Sequence, residues 1–275
     1  MIDDPLGAID YDERGTGPAI VLVPGSCATG AAFRPMIEAW GGHFRTVTTS
    51  LLGYGGTAER RSEGDPSITH EAAAVEAVVR KAAERDEPVH LVGHSFGGLV
   101  AVAVALRQVV PLASLTVLEA PAMEALRERP EDAEHYRAFR AMNETYFAAF
   151  ARGDREAAAQ MMEFYGGPGT YAAWPPRVRA YVEQTTHVNI LDWQTAYAFP
   201  LSTAILAALQ VPTLVLWGGV SNPAAQRANA RLAQAIRGST SGSVDGAAHF
   251  MIATHAADVA RRVAEHIHRA ATGPG

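Results

Sequence analysis

Apolar residues along the chain fall into two alternating kinds of pattern. Short uninterrupted runs predict strands buried on both faces: "AIVLVPG" at 19–25, "VHLV" at 89–92, "SLTVLE" at 114–119 and "VPTLVLWG" at 211–218. The β-branched stretch "FRTVTT" at 44–49 predicts another strand, and 239–244 a short one. Between them lie stretches with apolar residues at helical spacing. Val75, Val78, Val79 and Ala82 form one face of a helix with Ser67 as its cap and Pro88 closing it. Helices are likewise expected at 96–109 and at about 223–236. In a last helix, about 256–271, Val259, Val263 and Ile267 recur every four residues as one stripe.

Strands that are apolar throughout, alternating with helices, predict a mostly parallel sheet covered on both sides. Between residues 123 and 209 the strand pattern stops. Helical, aromatic-rich sequence replaces it, "HYRAFRAMNETYFAAFARGDREAAAQMMEFYGG", broken by "GGPGTYAAWPPR". We read this stretch as a helical cap inserted into a core formed by residues 1–122 and 210–275. The chain contains no internal repeat or low-complexity linker.

Composition changes this picture little. The chain has 275 residues, 48% hydrophobic and 19% charged, enough for one large domain with an insertion. A net charge of -6 and the lack of a long basic tract argue against nucleic acid and against an anionic membrane surface. Cys27 is the single cysteine, so no internal disulfide or cysteine zinc cluster can form. The acidic start "MIDDPLGAIDYDERG" lacks the pattern of a secretory signal, and no apolar run approaches spanning length. The expectation is a cytoplasmic protein acting on a small molecule.

The chemistry is concentrated at Gly93-His94-Ser95-Phe96-Gly97, a G-x-S-x-G pattern lying directly between a buried strand and a helix. A serine on so sharp a turn needs glycine two positions before and after it, because Cβ atoms there would meet the adjoining strand and helix. The serine then projects from the end of the sheet, and the Phe96 N–H at the helix start faces any oxyanion that forms. His94 neighbours the nucleophile but is expected to point away from it.

A serine nucleophile needs a base. Of ten histidines, only His249 follows a strand at the sheet edge where Ser95 lies; the others fall in helical, strand or polar contexts. Cys27 has no elbow and reads as a small buried filler. "GYGGT" at 53–57 lacks the strand–helix setting of a dinucleotide loop and reads as a turn, so no cofactor is expected.

Taken in order, "PGSCATG", "LLGYGGT", "VGHSFGG", "VPTLVLWG" and "GAAHF" resemble the α/β-hydrolase superfamily over essentially the whole chain. The resemblance implies a sheet of about eight strands, a helical cap over the site, and a triad in the order Ser, acid, His. It places the second oxyanion N–H on Ser26, with Pro24 where the family usually has His.

The acid departs from the pattern. The family most often puts it a few residues after the strand that here reads "VPTLVLWG", where Ser221 and Asn222 stand. Glu119, at the end of "SLTVLE", is the candidate instead, since some members use that strand end and a carboxylate between "LTVL" and "APAM" needs a partner. Asp245 is the fallback, although it lies very close before His249. Ser95, His249 and Glu119 with an oxyanion hole suit acyl transfer, so a carboxylic-ester hydrolase is expected. A lactonase, a carbon–carbon bond hydrolase and a perhydrolase could use the same residues. A low-turnover ligand receptor is the alternative from another class, favoured by the missing carboxylate at 221 and 222.

Overall fold

The computed structural model of the chain describes residues 1–83 and 87–272. Its strands are β1 (Ile2–Asp4), β2 (Gly7–Ile9), β3 (Asp12–Arg14), β4 (Ala19–Val23), β5 (Arg45–Thr48), β6 (Val89–His94), β7 (Leu112–Leu118), β8 (Thr213–Gly218) and β9 (Thr240–Val244). Seven of them form one sheet in the order β3-β5-β4-β6-β7-β8-β9, while β1 and β2 make a separate antiparallel hairpin. All neighbours in the sheet are parallel except β3 and β5. The main sheet is thus one strand smaller than the expected eight.

The central strands are where the apolar runs placed them. Every residue of β4 and β6 is buried, because helices cover both faces of the sheet. The edges differ. β3 is the charged triplet Asp12-Glu13-Arg14, exposed throughout, and β9 is mostly polar. Charged and short edges discourage further pairing. The exposed, charged β3 accordingly carries no apolar signature.

Helices α1 (Arg34–Ala39) and, after the cap, α10 (Met251–Thr254) and α11 (Ala256–Thr272) lie on one face. Val259, Val263 and Ile267 of α11 pack there with Ile20, Leu22 and Trp40. On the other face sit α2 (Ile68–Ala82), α3 (Phe96–Arg107) and α9 (Pro223–Ala235). Ser67 caps α2 as expected, its hydroxyl accepting from the Thr69 N–H. That helix ends at Ala82, before Pro88, and residues 84–86 of the predicted span lie outside the described residues.

Residues 123–209 hold α4 (Ala133–Ala151), α5 (Ala159–Gly166), α6 (Thr170–Ala173), α7 (Pro176–Ala198) and α8 (Thr203–Leu206), with no strand. The "GGPGTYAAWPPR" break separates α5 from α7 and contains the one-turn α6. Two buried carboxylates fasten this layer to the core. Asp132 meets Arg227 and Arg231 of α9 at 2.6 and 2.5 Å. Asp192 of α7 joins a buried cluster described below. No helix among the described residues is long and apolar enough to cross a membrane.

Candidate active site

Strand β6 ends at His94, α3 begins at Phe96, and Ser95 forms the whole turn between them. Its backbone sits at φ 54°, ψ -129°, a conformation costly for a residue with a Cβ. A Cβ on Gly93 would overlap the Gly97 carbonyl, and one on Gly97 the Pro24 carbonyl. The sharp turn therefore depends on both glycines. Ser95 is held by its N–H to the Leu118 carbonyl at 2.9 Å, so the turn is anchored to the neighbouring strand end.

That strand end also carries Glu119, fully buried, with φ 47°. Its carboxylate accepts from His249 Nδ1 at 2.8 Å on Oε1. On Oε2 it accepts from the Gly218 N–H at 2.6 Å and the Ser221 hydroxyl at 2.7 Å. Asn229 of α9 brackets the next peptide, its side chain bonding both the N–H and the carbonyl of Ala120 at 2.9 Å. Thus three residues from β8 and the loops after β8 and β9 converge on one carboxylate. Asp245 is exposed, and Asn222 serves as the cap of α9, accepting from the Ala224 N–H.

Ser221 and Asn229 escaped the sequence reading. Ser221 was seen only as a missing acid, whereas it is a donor to the acid supplied by the adjacent strand. A carboxylate at 221 would instead lie against Glu119, two like charges in one buried site.

His94 requires a correction. Its ring does not point away from the site: it lines the same cavity as Ser95, lies 4.8 Å from the His249 ring centroid, and Nε2 bonds the His249 carbonyl at 2.9 Å. Burial, with His249 nearby, lowers its pKa to about 3, so His94 stays neutral and donates to that carbonyl. The chain reverses after β9, which brings the 249 backbone over the end of β6.

Ser26 and Phe96 both line the cavity beside Ser95. Among the described residues, neither backbone N–H donates to another protein group. Cys27, at φ 56°, shapes the loop. Its thiol is buried, which raises its pKa to about 12 and leaves it protonated and unreactive. Ser26 Oγ donates to Asp192 Oδ2 at 2.5 Å. The same oxygen accepts from Tyr54 at 2.7 Å, and Oδ1 meets Arg61 Nη1 at 2.8 Å. Arg61 also pairs with Glu71 and Glu59, at 3.1 and 2.8 Å. Burial raises the Asp192 and Glu71 carboxyls, and the guanidinium opposes that shift at both.

The cavity over Ser95 has a volume of about 420 Å³. The wall from residues 123–209 is largely apolar, with Met161, Met162, Tyr165, Trp174, Val178 and Trp193 beside the polar Asn189 and Asp192. The Tyr165 ring lies on the His249 imidazole, 4.2 Å between centroids at 35°. Phe250 meets the same imidazole edge-on at 5.2 Å. Other cap aromatics are internal to the cap: Phe139 is fully buried, and Tyr146 donates to Asn189 Oδ1 at 2.8 Å. Ser95, His249 and Glu119 thus meet at one site, with the imidazole bonded to the carboxylate. Among the described residues no hydrogen bond joins Ser95 Oγ to His249.

Comparison with known proteins agrees with this architecture. Residues 20–262 match the model of the Alpha/beta hydrolase family. The thioesterase TesA of Mycobacterium marinum is 32% identical over 97 residues, 35% of this chain and 38% of that protein. The putative carbamate hydrolase RutD of Agrobacterium fabrum is 38% identical over 92 residues, 33% of this chain and 34% of that protein. The chain therefore spans little more than a third of either relative. A thermophilic esterase from Thermogutta terrifontis shares the fold with a TM-score of 0.72 and 20% identity, covering 95% of this chain and 93% of that one. With a family match running from the first central strand into the last helix, the chain belongs to the alpha/beta hydrolase family.

Proposed function

We propose that this hydrolase cleaves ester-like bonds of small or medium, largely apolar substrates through an acyl-enzyme. The observation that carries the reading is the Glu119–His249 pair, 2.8 Å apart, at the wall of an apolar cavity that also holds the strained Ser95. With Nδ1–H donated to Glu119, His249 Nε2 is left as the acceptor for the Ser95 proton. Ser95 Oγ forms a bond to the carbonyl carbon, and the oxyanion is received by the Ser26 and Phe96 N–H groups. His249 returns the proton to the departing alcohol. A water, deprotonated by the same imidazole, then releases the acid and restores Ser95.

A ligand-receptor reading rested on the missing carboxylate at 221 and 222. The Glu119 contact supports the enzyme reading instead. Mixing the protein with p-nitrophenyl butyrate tests it: a burst of about one equivalent followed by turnover is expected. Ser95→Ala lowers kcat on the order of 10⁴- to 10⁶-fold. An intact, folded wild type that neither acylates nor turns over any short or medium ester refutes the proposal.

A further inference from the structure

We propose that Asp192, carried by the cap helix α7, is a positioning residue for the oxyanion hole, acting through the Ser26 hydroxyl. The inference rests on the hydrolase reading above and concerns what holds its second oxyanion donor in place.

The Ser26 peptide lies in a loop after β4 that has to present an N–H to the cavity while Cys27 is kept at φ 56°. A backbone in that region persists only where its surroundings hold it. The Ser26 hydroxyl, two bonds from the Cα next to the donor nitrogen, is bonded at 2.5 Å to Asp192. Asp192 is itself 2% exposed and fixed from two further sides by the Tyr54 hydroxyl and the Arg61 guanidinium. Arg61 also lies over the Phe96 ring, 5.9 Å from its centroid. One buried cluster therefore touches both residues whose N–H groups face the oxyanion. Its central carboxylate comes from the cap and not from the sheet. Ser26 is 166 residues away from Asp192 in sequence, so the hole is complete only when α7 is docked.

Ser26 and Asp192 both line the cavity, and the role assigned to their side chains is to set the direction of an N–H. Misdirecting one donor weakens the transition state more than the ground state. Ser26→Ala leaves Asp192 with Arg61 and Tyr54 and is the cleaner variant. The readouts are kcat and KM for p-nitrophenyl butyrate, inhibition by phenylboronic acid, and inhibition by benzyl alcohol. The boronate forms a tetrahedral adduct on Ser95 with an oxygen in the hole, whereas the alcohol only fills the cavity.

Ser26→Ala is expected to lower kcat and weaken the boronate by the same factor, on the order of 10- to 100-fold. KM and benzyl alcohol inhibition stay near wild type, while the melting temperature falls modestly because buried Asp192 loses one donor. Asp192→Asn gives the same signature, and the double variant is no worse than either single one. If Asp192→Asn does not fold, Ser26→Ala decides alone. Wild-type kcat and boronate affinity in Ser26→Ala, or equal losses for the boronate and the alcohol, would overturn the inference while leaving the hydrolase reading intact. A wild type inert to both ester and boronate overturns the two together.

Discussion

A carboxylate sealed from water depends on the donors that reach it, and Glu119 has three: His249, Gly218 and Ser221. Ser221→Ala removes one and leaves Oε2 with a single N–H. Loss of a hydrogen bond to a buried charged group costs about 1.5–3 kcal/mol, so a matching drop in unfolding free energy is expected in urea titration. Activity falls with it, less than for Ser95→Ala. Ser221→Asp is the sharper variant: a second carboxylate beside Glu119 lowers both stability and kcat further than Ala does, and the pair of measurements separates loss of a donor from repulsion. Ser95, His249 and Glu119 stood out in the sequence because each follows a strand and has a recognisable neighbour. Ser221 was misjudged because its partner lies 102 residues earlier, on the adjacent strand, and only the parallel register brings the two ends together.

At the level of elements, the strands and long helices followed from periodicity, while β1 to β3 and α1 did not, being short and partly exposed. Residues 123–209 were legible as helical and aromatic. Which aromatics face the cavity was not, since Phe139, Tyr146 and Tyr165 all lie on helices with similar spacing. Only packing sorts them, and it puts the Tyr165 ring of α5 over His249 at a 35° tilt. Under the proposed mechanism the His249 imidazolium rests on an aromatic face, a contact worth about 0.5–2 kcal/mol. Tyr165→Phe keeps that face and is expected to retain near wild-type kcat. Tyr165→Leu loses roughly 2- to 30-fold in kcat, converted from that range. A Leu variant as active as the Phe variant would show that the ring only fills space.

For the molecule as a whole, burial of neutral histidines along β6 sets a response to acid. His94 is lowered to about 3 and His90 to about 4, in both cases chiefly by desolvation. An unfolded histidine titrates near 6.5, so below that pH the unfolded chain takes up protons that the folded chain does not. Stability from these two groups is complete above 6.5 and is lost as pH falls toward 4 and then 3. The slope approaches about 1.4 kcal/mol per pH unit for one fully buried imidazole. Urea unfolding between pH 7 and 4.5 should show this fall, and His90→Gln should flatten it; an unchanged slope in that variant would assign the acid sensitivity elsewhere. The cap enters the core between β7 and β8, which are direct neighbours with Leu118 opposite Leu216. The two strands are parallel, so the inserted segment leaves at the C-terminal end of β7 and has to cross back to the N-terminal start of β8, where Thr213 lies opposite Leu115. The segment holds none of Ser95, Glu119 and His249, so under the proposed function it is a cassette, exchangeable in evolution or by engineering without rewriting those three. If Asp192 steadies the oxyanion loop, a replacement cassette must bring a carboxylate to the same spot, or the recipient will bind its new substrate and turn it over slowly.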